Sequence, residues 1–448
     1  TLTAGGGAGK TVVVDATTVT LGRCGGTVAL ASGATQTGFG RTGTVDWDTT
    51  PKTATFTGVN GNGYFVNTTA GVVTANLPAS PNAGDIMAIV DYAGTADTNN
   101  ITVGRNGSNI NGAAVDQTIS KENSGATFVY VDGTQGWKFT ETSNISDIEL
   151  QTTFISATGG TVSTCGDDKI HTFTGPGTFT VCSASNCASN NIVSHVVVAG
   201  GGGGGGFGGG GAGGYREVKN PVTPYTASPL DGYPSAPNRV TVTAAAFPIT
   251  VGGGGSGNTS NRTKGSNGNN SVFSTITSAA GGAGGAFGSS GQVPGNNGGS
   301  GGGGGALESA PYPGGSGGTG NTPPVSPAQG NNGGAGGPSG GAYGGSGGGA
   351  GAAGNTSPGS GNGVDGGAGV TSSINGTPTA RAGGGGGAGG NPGGSGGSGG
   401  GGNGAPGPAP TTATNGTDNT GGGGGGNYVC ATAGSGGSGI VIIRYKFQ

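Results

Sequence analysis

The stretch from Gly200 to Gly439 constrains the fold of this chain more than any other feature. It opens, after Ala199, with GGGGGGGFGGGGAGGYRE, ends at the glycine of GIVIIRYKFQ, and holds most of the 117 glycines among 448 residues. Glycine loses more conformational freedom on folding than any other residue, and ordering one backbone residue costs about 1–2 kcal/mol. Such a composition is typical of a flexible linker. An ordered structure would have to hold itself together through backbone contacts.

Polyglycine II is the ordered structure that this stretch favours. The polyproline II geometry has three residues per turn, a rise of about 3.1 Å and no internal hydrogen bonds. Without Cβ atoms, neighbouring helices can approach closely and pair their N–H and C=O groups laterally. Collagen needs glycine at every third position, and GGAGGNPGGSGGSGGGGNGAPGPAP breaks that register repeatedly. We expect packed polyglycine II helices, with irregular glycine-rich loops as the alternative.

Residues 37–142 have the pattern of an all-β domain. Short β-branched and aromatic runs such as ATFTGV, GYFVNTT, DIMAIVDYAG, ATFVYVDG and GWKFTE recur about every ten residues, between Gly, Asn, Asp or Pro. This spacing is typical of a β-sandwich or barrel. The predicted core consists of Val73, Ala75, Leu77, Ile86, Val90, Tyr92, Phe128, Tyr130, Trp137 and Phe139.

The sequence as a whole predicts an all-β chain with a glycine-rich domain. Short-strand β-sandwich units precede packed polyglycine II helices that β-strands frame. We divide the chain into an N-terminal β segment (1–36), a β-sandwich domain (37–142), a connector (143–160) and the glycine-rich domain (161–448). In the connector, NISDIELQTTF suggests one helical turn. KIHTFTGPGTFTV reads as a hairpin around Gly175–Gly177, and GIVIIRYKF should pair with SHVVVA.

Charge and motifs argue against several classes of function. The net charge is −3 without a basic stripe, which argues against nucleic-acid binding. The apolar runs are too short for membrane insertion. AGGGAGKT at residues 4–11 resembles a phosphate-binding loop, but it lacks the preceding strand and following helix. His171 and His195 lie in strand patterns, and Asp365 stands alone as a calcium candidate. We therefore predict no catalytic residue, no cofactor and no metal.

The five cysteines leave two possibilities open. They are Cys24, Cys165, Cys182, Cys187 and Cys430. An odd number leaves at least one thiol free or paired between chains. Cys182 and Cys187 bracket the short turn SASN and could form a local disulfide. The alternative is that the thiols are free and buried.

Aromatic and apolar residues between the glycines are the candidates for binding. The predicted receptor-binding residues are Tyr225, Leu230, Tyr233, Tyr312, Tyr343 and Tyr428. Tyrosines on rigid loops suit the binding of sugars or protein surfaces. The alternative is that they pack against neighbouring chains or fill gaps between the glycine helices.

Two parts of the chain resemble proteins of bacteriophage virions. The segment from GYFVNTTAGVVTANLP to ATFVYVDGTQGWKF resembles a β domain of tail-fibre and other virion structural proteins. The segment from TGGTVSTCGDDKIHTF to GGSGIVIIRYKFQ resembles the glycine-rich domain that often follows it. The resemblance implies stacked polyglycine II helices with receptor-binding loops at the tip.

The same resemblance sets the expected partners and location. It implies a homo-oligomer, with a trimer as the expected state, that contacts other virion proteins and a host cell-surface glycan or protein. The expected location is the virion, and the expected mechanism is attachment without chemistry. The alternative is a self-assembling extracellular filament or matrix protein, in which the same surfaces contact other subunits.

Overall fold

The computed structural model describes most of the chain in two compact units, Thr1–Gln151 and Thr152–Gln448. The described residues are 45–142, 148–150, 152–260, 262–288, 293–307, 313–338, 343–359, 361–407, 411–428 and 432–448. Within them the only segments of α-helix or 3-10 helix are the short 3-10 helices Ala188–Asn191 and Ala236–Asn238. The predicted all-β class is therefore confirmed. The β segment predicted at 1–36 lies outside the described residues.

The first unit consists of two five-stranded sheets. Its strands β1 to β10 are Asp46–Lys52, Phe56–Thr57, Asn62–Val66, Val73–Asn76, Ile86–Asp91, Ile101–Gly104, Gln117–Ile119, Gly125–Asp132, Gly136–Thr142 and Ile148–Leu150. The sheet orders are β1-β3-β5-β8-β9 and β10-β7-β6-β4-β2. From β1 to β6 the chain alternates between the sheets, so successive strands of one sheet run parallel. One apolar core is formed from residues of both sheets.

The core of the first unit differs from the prediction at β5. Met87 and Ile89 are fully buried in it, whereas Val90 is half-buried and Tyr92 is 56% exposed. Successive side chains of a strand point to opposite faces, so a shift of one residue exchanges the two faces. Ile86 is buried as well, which made the alternation of this strand ambiguous in the sequence.

The connector does not contain the predicted helical turn in its described part. Ile148–Leu150 is a strand that pairs antiparallel with β7. Ser156–Thr158, β11, pairs with a strand of the second unit. The backbone hydrogen bonds that these strands form at the edges of the sheets outweigh a weak local helix preference. Residues 143–147 and 151 of the connector lie outside the described ranges.

The second unit contains two larger sheets and a two-stranded one. Strands β11 to β23 are Ser156–Thr158, Thr161–Cys165, Asp168–Phe173, Gly177–Ser183, Ile192–Val198, Tyr215–Val218, Val240–Thr241, Ala246–Thr250, Ser271–Phe273, Ile276–Ser278, Val370–Ser372, Thr379–Arg381 and Ile440–Lys446. One sheet has the order β11-β14-β18-β19-β20 and the other β12-β13-β23-β15-β16, with β17 beside β15. An apolar cluster containing Phe179, Phe273 and Tyr445 draws on both sheets.

Two predictions about these strands have opposite outcomes. The hairpin around Gly175–Gly177 is wrong, because β13 pairs with β12 and β23 while β14 pairs with β11 and β18. The turn carries the chain from one sheet to the other. The predicted pairing of the framing strands is confirmed, since β15 and β23 are antiparallel neighbours with Val198 opposite Ile440.

Between these framing strands the described residues form eighteen polyglycine II helices, PG1 to PG18. Their ranges are 199–206, 207–214, 252–258, 263–270, 279–286, 293–299, 300–306, 313–320, 330–337, 343–349, 352–358, 362–369, 382–389, 392–398, 401–406, 411–417, 421–427 and 432–439. Consecutive helices run in opposite directions. The strands of this unit precede odd-numbered helices or follow even-numbered ones, so they lie at one end of the bundle, here called the basal end. The other end, where odd-numbered helices end and even-numbered helices begin, is called the distal end.

Lateral hydrogen bonds hold these helices with a three-residue period. In PG1, Gly201 and Gly204 donate to PG18 at 3.0 and 2.9 Å. The residues before them donate to PG4 and the residues after them donate to PG2. The carbonyl oxygens of PG1 accept from PG3, PG5 and PG17 with the same period. Since polyglycine II has three residues per turn, each helix can bond to six neighbours at once.

The bonding pattern defines a hexagonal lattice with PG2 at its centre. PG2 is bonded to PG1, PG5, PG7, PG10, PG13 and PG17, which form an inner ring. The other eleven helices form an outer ring, which in a complete hexagonal lattice would have twelve positions. The glycine stretch is therefore a folded domain whose interior consists of backbone.

The position of a helix in this lattice explains its glycine content. A Cβ on any of the six residues Gly200–Gly205 would overlap backbone of a neighbouring helix. PG14 in the outer ring has the pattern GGSGGS, in which Ser395 and Ser398 are exposed. A Cβ on Gly394 would overlap the Val364 carbonyl oxygen. Interior helices thus need glycine at most positions, and outer helices only where a neighbour is close.

Candidate functional site

The distal end carries a small aromatic cluster at the end of the central helices. Phe207 begins PG2 and is fully buried between Ala306 and Ala388. Its ring centroid lies 5.2 Å from that of Phe287 and 5.3 Å from that of Tyr428. We call Phe207, Phe287 and Tyr428 the distal aromatic cluster. Phe287 and Tyr428 are half-buried, so the cluster has both a packed side and a side open to solvent.

The backbone holds Phe207 in an unusual conformation. Its φ of +78° lies in the left-handed region, which a bulky residue rarely adopts. The amide donates to the Asn427 carbonyl at 2.9 Å, and the carbonyl accepts from Ala388 at 2.8 Å. These bonds and the buried ring stabilise a conformation that would otherwise be unfavourable, a pattern that is common at functional sites.

Further side chains surround the distal aromatic cluster. The Arg262 guanidinium lies over the Phe287 ring, 5.5 Å from its centroid. The Tyr428 ring covers Gly407, where a Cβ would overlap it. Tyr343 lies beside Gly389 and Gly390, also at the distal end. Cations and partly exposed aromatic rings on a rigid support can bind sugars or protein side chains.

The structure separates the predicted binding residues. Tyr343 and Tyr428 lie at the distal end, while Tyr225, Leu230 and Tyr233 lie at the basal end, after β16. Tyr312 lies outside the described residues. Sequence reasoning did not select Phe207, Phe287 or Arg262. The one available signal was Phe207, whose aromatic ring interrupts fifteen positions that are otherwise glycine and alanine.

The three basal candidates are supported by the strand layer. Tyr225 and Leu230 pack against a buried cluster that contains Ile170 and Tyr215. The Tyr225 hydroxyl donates to the Val218 carbonyl at 3.3 Å, and burial raises the pKa of Tyr225. Tyr233 lies under the Arg239 guanidinium, 4.4 Å away. All three side chains are half-buried, which fits packing at least as well as binding.

Two sets of hydrogen bonds hold the buried charges of Asp168, Arg444 and Glu217 in the strand layer. Arg444 Nε donates to Asp168 Oδ2 at 2.8 Å, and both side chains are nearly inaccessible. Its other nitrogens donate to the carbonyl oxygens of Pro224 and Ile374. Glu217 accepts from the Tyr215 hydroxyl at 2.8 Å and from the Ser372 hydroxyl at 2.6 Å. These bonds connect distant parts of the basal end and give the charges a structural role.

Both histidines are buried strand residues, as predicted. Burial lowers the pKa of His195 to about 3 and also lowers the pKa of His171. His171 contacts the Gly159 carbonyl through Nδ1 at 2.7 Å and the Tyr445 hydroxyl through Nε2 at 3.0 Å. Neither ring faces solvent, which a general base acting on an external substrate would require.

Within the described ranges the cysteines form no disulfide and the acidic residues form no metal-binding group. Cys165, Cys182 and Cys187 are free thiols, so of the two possibilities left open the disulfide between the last two is not formed. Cys182 and Cys187 are exposed rather than buried. Cys24 and Cys430 lie outside the described residues. Across the described ranges, no group of three or more His, Cys, Asp or Glu side chains is placed to hold a metal ion.

Of the helices in the described part of the chain, none has the length and apolar character needed to cross a bilayer.

Fold and site together define an all-β protein with a hydrogen-bonded polyglycine II domain that is framed by strands. The chain belongs to the glycine-rich domain family, whose pattern matches residues 172–446, more than half of the sequence. The match begins within β13 and ends at the last residue of β23. No curated protein matches the chain.

Proposed function

We propose that this protein is a structural fibre or appendage protein of a bacteriophage virion. It attaches to the host surface through the distal end of its glycine-rich domain, and it acts by binding without chemistry. Its expected partners are further copies of itself in a trimer, other virion proteins, and a glycan or protein of the host surface.

One observation carries this proposal. The polyglycine lattice brings the distal ends of its described helices together at one end of the bundle, around the distal aromatic cluster. Lateral backbone bonds fix the helix ends, so residues of the connections can differ without altering the support. A rigid support also reduces the entropy that binding would otherwise lose. The virion sequences that the chain resembles use glycine-rich domains for attachment, which supports the same function.

Binding to host cells by matched variants tests the proposal. Phe287→Ser with Tyr428→Ser changes the solvent side of the distal aromatic cluster and keeps Phe207. Tyr233→Ser is the basal control. We expect at least a tenfold loss of affinity in the distal variant, which is about 1.4 kcal/mol, and little change in the control. Equal binding by the distal variant and the wild type would refute attachment through this cluster.

Location and assembly need separate measurements. Antibodies against the glycine-rich domain should label virions at an appendage in electron microscopy. Sedimentation of the purified protein should give a closed trimer. Open filaments of purified protein, with no label on virions, would favour the extracellular filament instead.

A further inference from the structure

One outer position of the polyglycine lattice is not filled by any described backbone segment. It lies between PG4 and PG6, beside the inner-ring helix PG5. PG2 and the other five inner-ring helices are each bonded to six polyglycine neighbours. PG5 is bonded to five, namely PG1, PG2, PG4, PG6 and PG7. The N–H groups of Ala280 and Ala283 face the remaining direction.

Side chains take the place of the missing helix. Asn270 Oδ1 accepts from the Ala280 amide at 2.8 Å, and Asn267 Oδ1 accepts from the Ala283 amide at 2.9 Å. The two asparagines are three residues apart, which is one turn of PG4. Asn267 Oδ1 also accepts from Asn296 Nδ2 at 2.9 Å, and Lys264 Nζ donates to Asn296 Oδ1 at 3.0 Å. These side chains connect PG4 to PG6 across the vacant position.

Other outer helices use similar side-chain acceptors at the surface of the bundle. Asn415 accepts from the Ser435 amide at 2.9 Å, and Asp418 accepts from the Ser438 amide at 3.0 Å. Asn403 accepts from the Gly396 amide at 2.8 Å. A row of unpaired N–H groups at the surface of this lattice could pair with another chain, as the open edge strand of a sheet can.

We propose that Asn267 and Asn270 close this position against a polyglycine helix of a second copy of this chain, which would otherwise bind there. One observation supports a second copy as the excluded partner. PG3 carries an exposed glycine, Gly253, where a Cβ would meet only the Asn269 Nδ2 atom at 3.9 Å. Every copy therefore has a surface helix whose backbone can come close to the two amides at this residue. The two asparagines thus limit the lattice to eighteen helices and determine how copies can join.

Removing the acceptor oxygens tests this role. In Asn267→Gly with Asn270→Gly, the amides of Ala280 and Ala283 should exchange hydrogen for deuterium at least tenfold faster at low protein concentration. At high concentration the variant should associate beyond the wild-type state, and exchange at both amides should slow again. Sedimentation equilibrium over a concentration series measures the association.

A matched variant separates closure from folding. Asn267→Asp with Asn270→Asp keeps an acceptor oxygen at each position and should exchange and sediment like the wild type. If the double glycine variant does not fold, Asn270→Gly exposes the Ala280 amide alone, so faster exchange is expected at Ala280 and not at Ala283. Sedimentation of the folded glycine variants that matches the wild type at every concentration would overturn the proposal. This outcome is independent of host-cell binding, which the distal variants test.

Discussion

The ring of Phe207 stands edge to face against the ring of Tyr428, with their centroids 5.3 Å apart. Phe207 begins PG2 directly after the end of PG1. Tyr428 follows PG17 and precedes PG18, the last helix of the bundle. The Phe207 amide also donates to the Asn427 carbonyl at 2.9 Å. The contact therefore joins the first and last parts of the polyglycine domain, at the end away from the strands.

Truncation of Phe207 should destabilise the distal end strongly. For Phe207→Ala we expect a loss of about 3–5 kcal/mol in the free energy of unfolding, because the ring is fully buried. The half-buried Phe287 should lose less on substitution by alanine. Chemical denaturation measures both values. A loss for Phe207→Ala no larger than that for Phe287→Ala would contradict a central role of this ring.

The central helix should tolerate no side chain at Gly210. A Cβ there would overlap the Gly202 carbonyl oxygen and contact backbone of Gly203. Backbone cannot rotate away as a side chain can, so Gly210→Ala should separate PG1 from PG2 and prevent the lattice from closing. We expect loss of the cooperative thermal transition, measured by calorimetry.

Gly253 supplies the matched control for that substitution. It lies in PG3, and a Cβ there would have only the Asn269 Nδ2 atom as a neighbour, at 3.9 Å. Gly253→Ala should be neutral or stabilise by about 0.4–1 kcal/mol, because alanine reduces the entropy of the unfolded chain. Equal effects of the two substitutions would show that close lateral packing does not order the domain.

Much of this fold can be predicted from the sequence because it depends on local rules. The run of glycines with a broken triplet register indicated polyglycine II, and the apolar runs SHVVVA and GIVIIRYKF indicated the framing strands. Both follow from backbone geometry and residue type within a short window. At β5 the same reasoning selected Val90 and Tyr92 rather than Met87 and Ile89, because both faces of this strand carry apolar residues.

The lattice positions and the site could not be derived in this way. Which helix lies beside PG2 depends on pairings between stretches that are nearly identical in composition. The candidates Tyr225 and Tyr428 look alike in sequence, yet they lie at opposite ends of the bundle. The proposed role of Asn267 depends on a lattice position that no described helix fills, and no local sequence pattern indicates this.

The buried pair of Asp168 and Arg444 should be costly to break on one side only. Asp168→Ala leaves the Arg444 guanidinium buried without its carboxylate partner, which is typically destabilising by about 3–5 kcal/mol. Asp168→Ala with Arg444→Met removes both charges and should recover part of that loss. Urea denaturation of the two single variants and the double variant gives the coupling. Additive losses would show that the pair is not coupled.

His195 should make the domain less stable in acid. Burial lowers its pKa from 6.5 to about 3 in the folded protein. Between these values the unfolded chain binds a proton that the folded protein does not, so the free energy of unfolding falls as the pH falls. The slope from this group is at most about 1.4 kcal/mol per pH unit. His195→Leu should reduce the slope between pH 6 and pH 4, measured by urea denaturation. The lowered pKa of His171 leaves a residual slope of the same sign. An unchanged slope in His195→Leu would mean that this ring is protonated equally in both states.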